Sequence, residues 1–497
     1  MPRRNVYLLL LVTIAAVACS LQNDRYGRLL TYAMRQIDQR HLEEVDRKDL
    51  FEGAMQGMTA QLREKYADEY SGYIPPADVP RFNEDLDQEF GGVGMQVDLD
   101  DDTGQITVLS PLVDSPAYKA GILAGDVILK INGKSTQGMT LDDAVDLMHG
   151  KVGQPVRLTI LHEGDEEPVD MTIVRDIIKV DTVLGDTRNA DGSWNYFLEG
   201  EDRIGYLRVN TIAENTDEEL LAALEWLTDH DMQGLILDLR FNAGGYLDRA
   251  VTICDLFIDT GLIVSTRGRD AQIDRTYEAT SEGTCRDLPM AVLINKYSAS
   301  AAEIIAACLQ DHHRAVIVGQ RSFGKGVVQE LLPLDAEDGA RRGLMKVTSS
   351  SYWRPSGKNI NRGKAARESE ERDAQPDEQP GGESIDGSKN TPESDEWGVR
   401  PDEGYEVIIE DKDLRRLVLS RREREIYQAP DKTTDSEQGQ FSGGDERPTT
   451  SEPKETSDEP SAETPTETKD DEPFFDPQLQ AAIEYLRTQI ADEQHDR

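Results

Sequence analysis

Ser300 and Lys325 are the residues whose types and settings point to nucleophilic chemistry. Ser300 closes the stretch Asn295-Lys296-Tyr297-Ser298-Ala299-Ser300 just ahead of Ala301-Ala302-Glu303-Ile304, and Lys325 lies in Phe323-Gly324-Lys325-Gly326. A serine hydroxyl attacks poorly at neutral pH until a base takes its proton, and a lysine amine is such a base once burial lowers its pKa. Arginine keeps its charge and could not replace it. Ser298, two residues earlier, offers the same hydroxyl. His312 and His313 are the rival bases, but the helix expected after Ser300 carries them ~15 Å away at 1.5 Å per residue.

The elements around these residues must place them. Pro289–Ile294 is a short apolar run that reads as a buried strand, and Ala301–Leu309 is rich in alanine and isoleucine as a packed helix would be. Ser300 is therefore expected at a strand-to-helix turn, where the free Ala301 N–H and the positive end of the helix dipole favour an oxyanion. A second donor is expected from the turn Asp238-Leu239-Arg240-Phe241-Asn242-Ala243-Gly244-Gly245, which follows the apolar strand Gly234–Leu237 and whose glycines let backbone approach a ligand. Taken alone, a serine at a helix start is usually a cap and a Gly-Gly pair usually a turn. Alanine at position 243 rules out a Gly-Asn-Ser-Gly-Gly nucleophile turn there.

Together the motifs resemble the carboxy-terminal processing (tail-specific) serine peptidases. Phe90-Gly91-Gly92-Val93-Gly94-Met95, a PDZ-like segment, Ile204-Gly205-Tyr206-Leu207, Asp238-Leu239-Arg240 with Gly244-Gly245, and the Ser300 block come in that family's order. Phe323-Gly324-Lys325-Gly326-Val327-Val328-Gln329, Tyr352-Trp353-Arg354-Pro355-Ser356-Gly357-Lys358 and Gly398-Val399-Arg400-Pro401-Asp402 follow, so the resemblance spans about residues 25 to 425. It implies an α/β protease core of crotonase-like, β-spiral type with an inserted PDZ-like α+β domain. It also implies a serine endopeptidase working through an acyl-enzyme, with Ser300, rather than Ser298, as nucleophile, Lys325 as general base and Gln329 orienting the lysine. Gly244 and Ala301 would form the oxyanion hole. Gln329 lies four residues past Lys325, a spacing that keeps both side chains on one face of a strand or a helix.

PDZ modules hold an extended C-terminal tail as an added strand. By resemblance, Val93, Gly94 and Met95 would capture the tail's carboxylate while Val145 and Met148 line the pocket for its last side chain, unless those two face the module's core. The module's helix, Leu141–His149, is expected to stop at Gly150. Arg175 at the module's exit would couple tail occupancy to the protease through Gln329; a plain hinge salt bridge is the alternative. Two other functions share these features: an acyl-thioester enzyme of crotonase type, and a non-catalytic PDZ scaffold.

Composition frames the rest. The 497 residues carry 96 acidic and 54 basic side chains, a net charge of −42, which argues against nucleic acid as a partner. Residues 429–473 are dense in Glu, Asp, Thr, Ser and Pro and lack the apolar groups that offset ordering entropy, so a disordered acidic linker is expected, with a flexible insertion over 364–396. Arg3-Arg4 before the apolar run Val6–Cys19 suits a signal peptide over residues 1–19, with Cys19 a lipidation candidate in Ala16-Val17-Ala18-Cys19. The domain map is then a helical N-terminal region over 24–82, a PDZ domain over 83–178, a protease core over 179–428 and a C-terminal helix within 474–497. Cys254 and Cys308 read as buried small hydrophobes, and no Cys/His spacing suggests zinc. No metal or other cofactor is expected. The expected partners are protein or peptide substrates with apolar C-terminal tails, a membrane through the N-terminal anchor, a second copy of the chain and an adaptor protein, in a bacterial periplasm or cell envelope.

Overall fold

The computed structural model describes residues 25–426 and 474–496, apart from 101–102, 163, 166, 190, 281–284, 286, 336–340 and 364–396. The leader with Cys19, the 364–396 insertion and the 429–473 linker therefore lie outside the described residues. The chain divides into two compact units: Met1–Asn83, Arg267–Gln272 and Val327–Ser351 form one, and Glu84–Thr266, Ile273–Gly326 and Tyr352–Arg497 the other. Among the described residues no helix is long and apolar enough to cross a membrane.

The first unit opens with helices Arg25–Arg40 and Arg47–Tyr66. Asp46 starts the second by accepting the Lys48 N–H at 2.7 Å, the usual way a short polar side chain satisfies a first-turn donor. Strand Gly72–Ile74 then pairs antiparallel with residues 344–346 of strand Arg341–Trp353, which also pairs antiparallel with Val327–Asp335. The register of that last pair shifts between Val328 and Gln329. A shift of this kind re-aims side chains, so the even alternation behind the shared-face expectation for Lys325 and Gln329 does not hold there.

In the second unit an antiparallel sheet of strands Met95–Leu99, Ile106–Pro111, Val127–Ile131, Pro155–Leu161 and Val169–Val174 closes over helix Leu141–Met148. Ile106 and Val108, and Leu158 and Ile160, alternate inward and form its core with Ala144, and a register shift between Ile128 and Lys130 brings both Ile128 and Ile131 into it.

The larger part is a mostly parallel sheet. Strands Glu201–Val209, Gly234–Asp238, Met290–Ile294 and Val316–Gly319 lie side by side in chain order, all parallel, with Val183–Leu184 antiparallel at one edge. Helices Thr216–Asp229, Leu247–Asp255 and Ala301–Asp311 fall within the connections between successive strands, as parallel pairing requires. Strands buried on both faces read as continuous apolar runs, and Gly234–Asp238 and Met290–Ile294 are buried at every position. Helix Pro477–Asp496 covers one face: Ala482 and Leu486 pack against Ile204, Tyr206, Ile236, Ala291, Leu293 and Val318.

Candidate active site

Three turns meet at the carboxyl ends of the parallel strands. Ser300 follows strand Met290–Ile294 by a turn and sits at the N-cap of helix Ala301–Asp311 with φ +56° and ψ −119°. A non-glycine residue there is strained by on the order of 1–3 kcal/mol, and such strain persists only where neighbours over-determine it. The neighbours here are specific. The Ala299 N–H donates to Asn242 O at 2.9 Å, the Phe323 N–H to Ser298 O at 2.9 Å, and the Asn295 side chain accepts the Phe241 N–H at 3.1 Å. Ser298 is spent on this framework, because its hydroxyl donates to Leu239 O at 2.8 Å and accepts the Asn295 N–H at 3.0 Å. Ser300 instead has the buried Tyr352 hydroxyl within hydrogen-bonding reach; burial pushes that phenol up to about 12, a rise that the Ser300 bond moderates.

Lys325 is half-buried in the loop that precedes strand Val327–Asp335. The glycine after it is required, since a Cβ on Gly326 would collide with the Asn361 backbone. The loop is fastened by a fully buried carboxylate, Glu303, on the first turn of the Ser300 helix. Its Oε1 accepts the Ser322 hydroxyl at 2.5 Å and the Gly324 N–H at 2.7 Å; its Oε2 accepts the Lys325 N–H at 2.8 Å and the Ser300 N–H at 2.9 Å. Burial pushes the Glu303 acid up to about 7 against the pull of these four donors. Ser322 is held in turn by Val399, whose N–H donates to its hydroxyl at 2.7 Å. The Gly398-Val399 pair after the 364–396 insertion thus buttresses the lysine loop.

Ala301 opens its helix, where first-turn N–H groups lack intrahelical partners. Gly244 abuts the serine so closely that a Cβ there would lie 2.8 Å from Ser300 Cβ. Its N–H, however, donates to Asn242 Oδ1 at 2.8 Å, so Gly244 supplies room beside Ser300 and not the free donor expected of it. His312 caps the far end of the helix and its Nε2 contacts Leu262 O at 2.7 Å, away from Ser300.

A groove of about 590 Å³ lies between strand Met95–Leu99 and helix Leu141–Met148, where a C-terminal tail is expected. Met95, Gln96, Val97 and Val145 line it on the PDZ side; Phe241, Val418 and Arg421 of the core line it on the other. Met148 does not join Val145 there. Like Ala144, four residues earlier on the same stripe, it is packed into the module's core. Val93 is buried in that core too, while Gly94 O accepts the Ser115 hydroxyl at 2.7 Å. The helix stops at Met148 with His149 extended, without the expected glycine cap, and its final carbonyls are taken by a side chain. Arg175 donates to Met148 O and Leu147 O, both at 2.8 Å, and to Pro155 O at 3.2 Å. The guanidinium expected to reach Gln329 is thus committed inside the PDZ module. Gln329, in the first unit, donates to Thr348 Oγ1 at 2.9 Å; Thr348 donates to Asp68 Oδ1 at 2.9 Å, and Gln329 Oε1 is buried without a partner.

The sequence has known relatives. A model of peptidase family S41 matches residues 203–367, and a PDZ-domain model matches residues 107–161. The carboxy-terminal-processing protease of Bartonella bacilliformis is 39% identical over 358 residues, 71% of this chain and 76% of that protein. The chain belongs to peptidase family S41. Carboxy-terminal processing protease CtpA of Bacillus subtilis is 34% identical over 325 residues, 65% of this chain and 66% of its own length. Among solved structures, the photosystem II D1 C-terminal processing protease is 27% identical, with 68% of this chain and 91% of that one covered at a TM-score of 0.39. The chain is thus a serine-type peptidase with a PDZ domain.

Three residues of this S41 peptidase escaped the sequence reading. Glu303 looked like an ordinary helix-start acid, and only its complete burial against four donors sets it apart. Tyr352 sat in a quoted motif without a role. Phe241, at φ +65° and stacked on Tyr297 with ring centroids 5.4 Å apart, lies one residue from Asn242 yet lines the groove beside Met95 and Val145. No sequence spacing announces that contact.

Proposed function

We propose that this S41 peptidase is an exported endopeptidase that recognises the apolar C-terminal tails of proteins in its PDZ groove and cleaves peptide bonds by a serine–lysine mechanism. The observation that carries the reading is the strained backbone of Ser300 at a strand–turn–helix junction, a conformation that presents a hydroxyl at the head of a helix. Lys325, neutral, takes the Ser300 proton as Oγ attacks the scissile carbonyl. The Ala301 N–H stabilises the oxyanion. Collapse of the tetrahedral intermediate expels the amine, which leaves with the proton from Lys325, and a water deprotonated by the same lysine hydrolyses the ester. Gln329 orients the lysine in this scheme. Met95 and Val145 receive the tail, with Val93 and Gly94 shaping the loop that takes its carboxylate. Arg175, by holding the carbonyls that end the groove's helix, transmits tail occupancy to the helix.

The address and the assembly state are read from the N-terminus. The leader directs the chain to the cell envelope, with Cys19 a lipidation site, and adaptor proteins would deliver substrates there. Helix Arg25–Arg40 leaves Leu29 53% and Ile37 42% exposed, which supports pairing with a second copy.

The test compares hydrolysis of an unfolded substrate with an apolar C-terminus by the parent and by Ser300→Ala and Lys325→Ala. Each variant is expected to stay folded and lose turnover, because nucleophile and base act as a unit. A Lys325→Ala enzyme near the parental rate would sink the serine–lysine assignment. Matched free-acid and amidated substrates separate recognition from chemistry, and equal turnover of both would overturn tail capture alone.

A further inference from the structure

We propose that Glu303 is the positioning residue that sets the nucleophile against the base, an inference that rests on the serine–lysine reading above. The juxtaposition is atomic: one oxygen, Oε2, accepts the backbone N–H of Ser300 at 2.9 Å and that of Lys325 at 2.8 Å. The other, Oε1, holds Gly324 and Ser322 of the same lysine loop. Ser300 and Lys325, 25 residues apart in sequence, are thereby bridged by a single rigid carboxylate. A helix cap explains only part of this. An acid at the third helical position commonly reaches back to the cap's N–H, but it does so at the surface, where the charge stays solvated.

Here the carboxylate is completely buried and all four of its partners are neutral donors. Leaving a carboxyl in such a place is costly, and glutamine would serve a cap without that cost. What glutamine cannot do is accept four donors. Its amide would point two N–H groups at N–H or O–H donors and force the lysine loop away from the helix. The distance between the Ser300 Oγ and Lys325 Nζ is set by two flexible side chains on backbones that this oxygen ties together. A displacement of about 1 Å between reacting groups costs on the order of 100-fold in rate.

The experiment measures kcat, KM and the pH profile of kcat/KM for Glu303→Gln on a short unstructured peptide, with folded enzyme quantified by circular dichroism. The same samples are titrated with a serine-directed fluorophosphonate. The expected result is a roughly 100-fold lower kcat per folded molecule with KM within about twofold, a matching drop in labelling rate, and a displaced midpoint in the pH profile. A purely structural Glu303 would instead lower the folded fraction and leave kcat, labelling rate and midpoint of the remaining enzyme as in the parent; that outcome overturns the proposal. Should Glu303→Gln not fold, Ser322→Ala removes one donor and leaves the Oε2 bridge. It is expected to lower kcat about threefold to tenfold, as a partial displacement would, and parental kcat there is equally fatal. Retained hydrolysis in Ser300→Ala or Lys325→Ala would instead bring down the serine–lysine reading itself, so the two failures are distinguishable.

Discussion

Ser300 holds a backbone conformation that glycine would adopt freely and that a side chain resists. Replacing it by glycine should therefore relieve strain that alanine retains. Both variants lack the nucleophile, so stability can be compared apart from activity: Ser300→Gly is expected to be more stable than Ser300→Ala by about 1 kcal/mol in urea unfolding. The reverse order would mean that the turn is not strained. Glu303 adds a pH signature at the same scale. Its folded-state value of about 7 stands above the ordinary 4.5 because burial outweighs its four donors, so folding raises its affinity for a proton. The stabilising contribution is full below pH 4.5 and is lost as pH rises through about 7. Between those limits the stability of Glu303→Gln should gain on the parent by up to about 3 kcal/mol and then level off. Unfolding curves at a series of pH values check it; a difference that does not change with pH would contradict the buried-acid assignment.

At the scale of elements, the strand Gly234–Asp238 and the turn after it are anchored by charge. Asp238 and Arg240 are both fully buried and bridged at 2.7 Å, and Asp476, ahead of the C-terminal helix, meets the same guanidinium at 2.9 Å. Arg421 of helix Asp411–Glu425 pairs with Asp238 as well. Burial alone would raise the Asp238 acid, but Arg240 and Arg421 together hold it well below the usual carboxylate range. The pairs tie two distant stretches of chain, around Arg421 and Asp476, to the turn that carries Asn242 and Gly244. Arg240→Ala leaves the buried Asp238 with Arg421 alone and Asp476 without its guanidinium, and is expected to cost about 3–5 kcal/mol, because breaking a buried pair leaves its carboxylates undercompensated. Urea midpoints measure this directly, and a loss below about 1 kcal/mol would show that water enters the site. Asp476→Ala should cost less, since Asp476 is 12% exposed and Asp238 keeps its two arginines.

At the scale of the whole molecule, the C-terminal helix decides whether the parallel sheet is closed. Gly234 lets it come near: a Cβ there would lie 3.2 Å from Ile490, against a helix whose Ala482 and Leu486 are wholly buried. Ending the chain at residue 473 would expose the sheet face formed by Ile236, Ala291 and Leu293 and strip Arg240 of Asp476 and Gln478. Such a truncation is expected to bind a hydrophobic dye, aggregate on warming and lose hydrolysis. A truncated chain that stays monomeric with parental turnover would show that the helix is dispensable.

The sequence alone determined the family, the serine peptidase class, the presence of a PDZ domain and, in the central sheet, two strands and the helix after Ser300. Those features rest on local signals: apolar runs too continuous for anything but two-faced strands, and short motifs such as Phe323-Gly324-Lys325-Gly326 in which the backbone must pass close to a neighbour. What only the tertiary structure decided is which donors and acceptors are already spoken for. Ser298 and Ser300 look alike in sequence, yet one hydroxyl is consumed by Leu239 O and the other is left beside Tyr352. Gly244 was placed correctly beside Ser300 and misjudged as a donor, because Asn242 takes its N–H. Arg175, expected to couple the module to the protease through Gln329, caps a helix of the module; Met148, expected in the pocket, lies in the core. The physical reason is the same in each case. Residue type and spacing fix what a group can bond, whereas partners that lie tens to hundreds of residues away fix what it does bond, and burial such as that of Glu303 is a property of the closed fold that no local pattern carries.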